Sequence, residues 1–431
     1  MLKLILALLL VTTQLSAMEN YFWLTHSERS LAFPGDILRF FGRDTLWGPV
    51  HSNGWIATQN VGGLPVAIGP VSTAMSGFAP GSPNPPMQFL GGAPEFNAGD
   101  IVFPDSLTYL RETALEQGTY IYEPLHEWYC IVLDSIARFY YYPLGTERDT
   151  TTAEYFDIQL DSFRRVIFVD GKLDIRGILA ARGHQLHLGC SQDIRIVDNI
   201  MIRNTNMQNG TLPDGADSRI ALASEQGIYI ANTWENGREN RAQGSDVVIT
   251  AFLFAMGTHF QMEQMNDVGD PYIGPSPDER GNIVLTGGIT QYHRGYVHRS
   301  NRGGSGYNKI YHYDARNRLW RTGVFEPIDP LEEDWVSPVD NPLFPAQFTL
   351  SVAPNPFNVS TTIRFTLPQM QSVRARVYDV QGREVMQLAD RQYPAGSHVL
   401  QFNGESLASG VYFLRLETLG QIETRKLMLI K

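Results

Sequence analysis

The chain has 431 residues, of which 43% are hydrophobic and 18% charged, and its formal net charge is −11. That length allows roughly two to three domains of ordinary size. An acidic chain without a basic run excludes a phosphate-neutralising, nucleic-acid-binding role, and 39 Gly, 25 Pro, 19 Tyr and 22 Phe suit a turn-rich β protein.

Met1 to Ala17 combines a short basic start, an apolar run from Leu4 to Val11 and a small-residue end. This is the pattern of a secretory signal peptide, too short to span a bilayer. Cleavage is expected after Ala17, with Leu15 an imperfect match at the −3 position. The boundary carries no Cys, so a lipoprotein signal is not expected, and no later run is long enough for a transmembrane helix. Beyond it only Cys130 and Cys190 remain. In an oxidising space a bridge and two buried thiols are both open; free thiols are the expectation, because packing accounts for Cys190 in a turn.

Asp36 to Phe41 reads as a strand. Trp47 to Gly54 (WGPVHSNG) reads as a compact turn in which His51 and Asn53 invite a catalytic reading, although Asn-Gly supplies turn geometry and His packs or caps. Gly62 to Phe96 reads as a long surface excursion with a strand or two. Asp105 to Gln117 is the one helix. Asp105 is its expected cap, Leu107, Leu110, Ala114 and Leu115 form its apolar face, and Gly118 ends it. Such a helix ahead of a solenoid is expected to cover an open end.

Ile131 to Tyr142 is expected to lead into the clearest stretch, Val166 to Ile202. There the pairs Leu173/Ile175, Leu186/Leu188, Ile194/Ile196 and Ile200/Ile202 alternate with period two, separated by turn residues, as short half-buried strands do. Strands this short need neighbours above and below, and from Leu173 to Ile194 the pattern advances one coil of a repeat. The reading is an all-β fold, a right-handed parallel β-helix body with one capping helix; the alternative is a β-sandwich. The pattern resumes at Ile220/Leu222, Ile228/Ile230, Val247/Ile249 and Phe252/Phe254 after polar loops at Asn204 to Ser218 and Asn232 to Ser245. Ile283 to Tyr296 reads as the last rung or two. The chain thus divides into a signal peptide (1–17), a β-helix body with an N-terminal cap region (18–328), an acidic, Pro-rich linker (329–346) and a small β-sandwich (347–431), in which short alternating strands and regular turns argue an immunoglobulin-like type.

Ala353 to Asn358 (APNPFN), Thr361 to Phe365, Val377 to Val385, Leu407 to Phe413 and Arg425 to Lys431 together resemble the type A sorting domain of the type IX (Por) secretion system. The resemblance covers the last fifth of the chain. It implies export to the outer surface or medium of a Gram-negative, Bacteroidota-like bacterium, with the secretion machinery as partner and surface lipopolysaccharide or an extracellular glycan as further ones. The motif residues it marks are Pro354, Asn355, Pro356, Phe357, Asn358, Gly382, Gly410, Lys426 and Lys431, none of them catalytic. Leu46 to Asn53, Val166 to Gly171, Gly287 to Gly295 and Gly306 to Arg316 resemble uncharacterised bacterial envelope proteins with a domain of unknown function. That family supplies no active site.

The leading functional reading is a structural or adhesive surface protein without cofactor, metal or catalytic residue. A secreted carbohydrate-active enzyme or polysaccharide binder is the alternative. A glycosidase needs two carboxyl groups flanking the bond, yet Asp170, Asp174, Asp193, Asp198, Glu225, Asp246, Glu263, Asp267 and Asp270 form no repeated pair, and most sit in turns. Asp214 and Asp217 suit a Ca²⁺ loop less well than a solvated turn. His184 and His187 would face opposite sides of a strand, and His259 and Glu263 would share a face only on a helix. Tyr292, Tyr296, Tyr307 and Tyr311, with Tyr313, offer either a carbohydrate-stacking platform or an aromatic cap on the last coil. Gly303 to Gly306 reads as a flexible turn.

Overall fold

The structure is a computed structural model describing residues 18–31, 37–42, 44–123, 126–143, 146, 150–160, 165–238, 245–263, 279–299, 305–318, 348–367, 371–393, 396–418 and 421–431. The expected signal peptide, the expected linker, Asp267, Asp270 and the pair Gly303–Gly304 lie outside the described residues. Two compact units, Met1–Glu333 and Asp334–Lys431, divide the chain. Among the described residues it is nearly all β, with one α-helix, Thr108–Gln117.

Among the described residues the first unit is dominated by a large curled sheet of 20 strands, built on two parallel ladders that share one hydrophobic core. The first ladder stacks Tyr120–Tyr122, Val166–Asp170, Gln185–Cys190, Arg219–Ser224, Phe252–Ala255 and Glu279–His293 in that order. The second stacks His126–Asp134, Leu173–Leu179 and Ile194–Ile202, then Ile228–Ile230 and Val247–Ile249 together, and closes through Glu279–His293 on Ser305–Tyr313. Leu173 pairs with Ile194 and Ile175 with Ile196, and Ile196 pairs in turn with Ile230. These side chains are all fully buried, so the apolar alternation of the sequence becomes columns of Ile and Leu. Burying each such side chain is worth about 1.5–3 kcal/mol. At Phe252–Ala255 the register differs from the expected one. Leu253 and Ala255 enter the shared core, while Phe252 and Phe254 face outward into a second cluster.

The first described strand does not lie beside Tyr120–Tyr122, where the first ladder starts. Trp23–Ser27 pairs on one side with Glu279–His293, Trp23 opposite Ile289, and on the other with Val50–Ser52. Val71–Thr73 and Glu95–Phe96 then continue the stack. Beside them Thr45–Leu46, Val66–Ala67 and Gln88–Phe89 form a smaller parallel sheet. Gly62 to Phe96 therefore contributes four short strands to two parallel pairings, more than the strand or two expected of a surface excursion. Glycine makes them possible: a Cβ on Gly69 would sit 2.1 Å from the Gly48 carbonyl oxygen, and one on Gly91 would sit 2.3 Å from the Gly69 carbonyl carbon. The rungs approach too closely there for any side chain.

Three further expectations are corrected. His126–Asp134 and Ile136–Pro143 form an antiparallel hairpin, extended by Tyr155–Gln159, so only its first arm belongs to the parallel ladder; Asp134 turns the chain at φ 56°. The helix covers no open end. Leu107, Leu110 and Ala114 lie on the outer face of the first ladder against Phe168, Ala223 and Phe254, and Leu115 is 56% exposed. Asp105 does not cap it, since the N-cap position is Leu107, although Gly118 does end it, in the left-handed conformation at φ 68°. The expectation of free thiols, by contrast, agrees with the structure: Cys130 and Cys190 are buried and unbridged.

The second unit holds two antiparallel sheets. One pairs Thr349–Ala353, Ser360–Leu367 and Gly396–Asn403; the other pairs Glu384–Tyr393, Gln371–Asp379, Gly410–Thr418 and Gln421–Leu429. Alternate residues of both, among them Ile363, Phe365, Val377 and Leu414, fill one core.

Candidate functional site

The described acids of the ladder region are engaged in structural bonds. Glu225 receives the Leu107 amide at 2.9 Å and Arg111 at 3.1 Å. Asp170 receives Arg111, Tyr120 and Ser191, and its carboxyl lies below its ordinary range because these bonds outweigh the opposing burial. Arg195 bridges Asp174 at 3.1 Å and Glu263 at 2.5 Å. Asp246 accepts the backbone and side-chain amides of Asn282 at 2.7 and 2.9 Å, Asp193 accepts Gly227 N–H at 3.2 Å, and Asp198 faces Arg176 at 3.6 Å. Asp217 accepts Gly183 N–H at 2.6 Å. Asp214 meets Arg182 through its backbone carbonyl. Among the described residues no group of three or more His, Cys, Asp or Glu could hold a metal ion.

His51, on the strand Val50–Ser52, and Asn53, in the bend after it, are both buried in a polar chain. His51 Nδ1 meets Ser72 Oγ at 2.8 Å, His51 Nε2 meets Asn53 Oδ1 at 3.1 Å, and Asn53 Nδ2 donates to Ile101 O at 2.7 Å. Burial holds His51 below its ordinary pKa. Ser72 and His51 face each other on the paired strands Val71–Thr73 and Val50–Ser52, so the hydroxyl–imidazole bond ties two strands together, while the imidazole–carboxamide bond runs along the chain from His51 to Asn53. Nearby, Arg294 and Glu28 form an ion pair at 2.8 Å with side chains only 6% and 1% exposed, and the guanidinium lies 3.7 Å from the Phe40 ring centre.

The tyrosines do not gather into one platform. Tyr307 is fully buried, with its hydroxyl donating to the Asn236 carbonyl, and offers no ring face to a sugar. Tyr292 is half-buried and stacks at 4.3 Å on His26; Tyr296 packs against the shared core. Tyr311 is also in that core, but it lines a cleft where the N-terminal coils meet the last strand of the second ladder. This cleft, of about 200 Å³, is bounded by Trp23, Asp44, Trp47, Lys309, Tyr311 and His312. Asp44 and Lys309 are ion-paired across it. Trp47 is 44% exposed and stands 5.2 Å from His312, centre to centre. Among the described residues the buried indole Nε1 of Trp23 and hydroxyl of Tyr311 have no hydrogen-bond partner. Burial pushes the Tyr311 pKa up, with the charge of Asp44 adding to it, so the hydroxyl stays protonated. Sequence reasoning took Trp47 for a turn residue; an aromatic at a turn tip carries no signal of the His312 ring it meets on a strand far along the chain.

In the second unit the motif residues build a latch. Asn355 Nδ2 donates to Lys426 O at 2.6 Å and Asn355 Oδ1 accepts Met428 N–H at 2.9 Å. Phe357 is buried on Phe402 at 5.6 Å and exchanges backbone bonds with Met428 and Ile430. Pro354 O accepts the Thr361 hydroxyl, Asn358 O accepts Ser360 N–H, and Gly382 turns at φ 76°. Gly410 opens the strand Gly410–Thr418, and Lys431 Nζ donates to Glu405 O at 2.6 Å. The family model of the secretion system C-terminal sorting domain matches residues 351–431. This segment is a type IX sorting domain. The sorting domain marks the chain for export by type IX secretion as a secreted or cell-surface protein, with the secretion machinery as its partner. No curated protein matches the chain. A solved structure with some similarity is the endo-beta-1,4-mannanase from Thermotoga petrophila, 11% identical, covering 49% of this chain and 47% of that one, with a TM-score of 0.15. The chain thus spans about half the length of that enzyme, and a likeness so slight bears on neither fold nor function.

Proposed function

We propose that residues 18–328 form a right-handed parallel β-helix that serves a structural or adhesive role on the outer cell surface. The expected signal peptide (1–17) takes the chain across the inner membrane, the linker (329–346) spaces the body, and an immunoglobulin-like sandwich (347–431) presents the sorting signal. The observation that carries this reading is the sorting domain joined to a body of stacked parallel rungs. The engagement of Glu225, Asp170, Asp174, Glu263 and Asp246 in bonds that hold rungs and helix together supports a scaffold over a glycosidase, which needs a carboxyl pair free to face substrate.

The test of the structural role is to incubate the purified protein with pectic, alginate, chitin and mucin-type glycans. No new reducing or unsaturated ends are expected. Reproducible cleavage, lost on Glu225→Gln or Asp246→Asn with the fold intact, would replace the scaffold reading by a carbohydrate-active enzyme.

A further inference from the structure

The last strand of the second ladder, Ser305–Tyr313, is bonded to Glu279–His293 and His298–Arg299. The first strand of the smaller parallel sheet, Thr45–Leu46, is bonded to Val66–Ala67. Among the described residues no ladder joins these two strands. Asp44, directly before the one, and Lys309, on the other, meet instead as an ion pair. The joint is crossed here by side chains, not by backbone bonds.

This pair is built unlike a surface salt bridge. The Asp44 side chain is 5% exposed and that of Lys309 20%. Trp23, Phe40, Leu46 and Tyr311 wall the same opening, and all four are buried. Lys309 Nζ lies 5.1 Å from the centre of the Phe41 ring. The carboxyl group is fixed on its other side, where Asp44 Oδ2 accepts the Phe41 amide at 3.0 Å. The Asp44 amide donates back to Phe41 O at 2.7 Å, and Oδ1 is turned to the ammonium. Two charges so far from water are costly to keep. The buried pair of Arg294 and Glu28 bears the same cost, but a guanidinium is a poor nucleophile. A primary amine held against a carboxyl group has a further course: condensation to an amide, which removes both charges.

We propose that Lys309 and Asp44 condense to an intramolecular isopeptide bond that staples the N-terminal coils to the last strand of the body. A proton passes from the ammonium to Oδ1, leaving an amine and a carboxylic acid. Nζ attacks Cγ and the C–N bond forms. Negative charge gathers on Oδ2, where the Phe41 N–H already points. The Cγ–Oδ1 bond then breaks, and Oδ1 leaves as water with a second proton from the nitrogen. The third proton stays on the amide, and no oxidant, reductant or co-reactant enters. Amide formation is unfavourable between free partners in water. The fold opposes this by holding them at an effective concentration of roughly 10⁵–10⁸ M, with little water at hand to reverse the step. The cross-link closes a long loop of chain and so restricts the unfolded state. It goes beyond a scaffold role and stands or falls separately from it, because it is read by mass without reference to export, adhesion or cleavage.

The test is intact mass spectrometry of the purified full chain under unfolding conditions, followed by tryptic mapping. The chain should weigh one water less than its residues require. Trypsin should release a branched peptide joining the Asp44 and Lys309 segments, with no cleavage after Lys309. Lys309→Arg keeps the charge pair but supplies no primary amine; it should have the full mass and unfold at a lower temperature. Asp44→Ala should also have the full mass. Full mass in the native chain, with ordinary cleavage after Lys309, overturns the proposal and leaves a buried salt bridge. A missing water that persists in both variants overturns it too, because the loss then arises elsewhere. Where neither variant folds, the presence or absence of the branched peptide in the native chain decides by itself.

Discussion

The carboxylate of Glu225 accepts the amide of Leu107 at 2.9 Å across 118 residues of sequence. The same group grips Arg111 at 3.1 Å, so a turn of the first ladder supplies the cap of the helix laid over it. Removing the carboxylate leaves the Leu107 amide without its acceptor and Arg111 with its bond to Asp170. Glu225→Ala should lower stability by about 1–3 kcal/mol, and hydrogen exchange over Thr108–Gln117 should rise ahead of global unfolding. Unchanged protection of the helix would show that apolar contact alone holds it.

Gly69 tests the close stacking of the N-terminal coils. Its Cβ would fall 2.1 Å from the Gly48 carbonyl oxygen, and backbone cannot yield as a side chain can. Gly69→Ala should cost about 1–3 kcal/mol or more by denaturant titration. Gly77→Ala is the control, because nothing lies within 4 Å of a Cβ there, and it should be close to neutral.

Two buried histidines set a pH dependence. Burial lowers His259 from 6.5 to about 4 and, with the charges of Arg165 and Arg219, lowers His187 to about 3. The unfolded chain therefore binds more protons than the folded one below pH 6.5. Stability from these groups is complete above that pH and is lost as pH falls, down to about 4 for His259 and about 3 for His187. His259 alone should contribute on the order of 3 kcal/mol to the loss. Urea midpoints at pH 7.5 and 4.5 measure it, and His259→Phe should flatten the difference. An equal pH effect in the variant would rule the histidine out as the cause.

In the sorting domain the Asn355 side chain holds two bonds to the final strand. Asn355→Ala should loosen Gln421–Leu429 by about 1–2 kcal/mol, seen as faster amide exchange at Met428 while the rungs of the body keep their protection. Slow exchange at Met428 in the variant would place the latch in Phe357 alone.

The columns of inward Ile and Leu were legible because period-two alternation with β-branched residues has few other outcomes: Ile175, Leu188, Ile196, Ile230 and Ile249 are all fully buried in the shared core. The N-terminal coils were not, because strands such as Thr45–Leu46 and Val66–Ala67 are two residues long, and glycines that permit tight stacking look like loop glycines in one dimension. The hairpin at Asp134 hid inside a continuous run of aromatic and β-branched residues. Phe252 and Phe254 misled for a related reason: the strand is buried on both faces, so alternation does not say which face is the core. The cleft was illegible because it forms only where Trp23 and Trp47 meet Lys309 and Tyr311, a pairing of distant segments that no local pattern announces.

The central claim is that the tail carries a separately folded body to the cell surface. Deleting residues 348–431 and fractionating the cells tests it most directly. The account predicts a protease-resistant body retained in the periplasm and lost from the surface and medium. Normal levels of the truncated protein on the cell surface would contradict it.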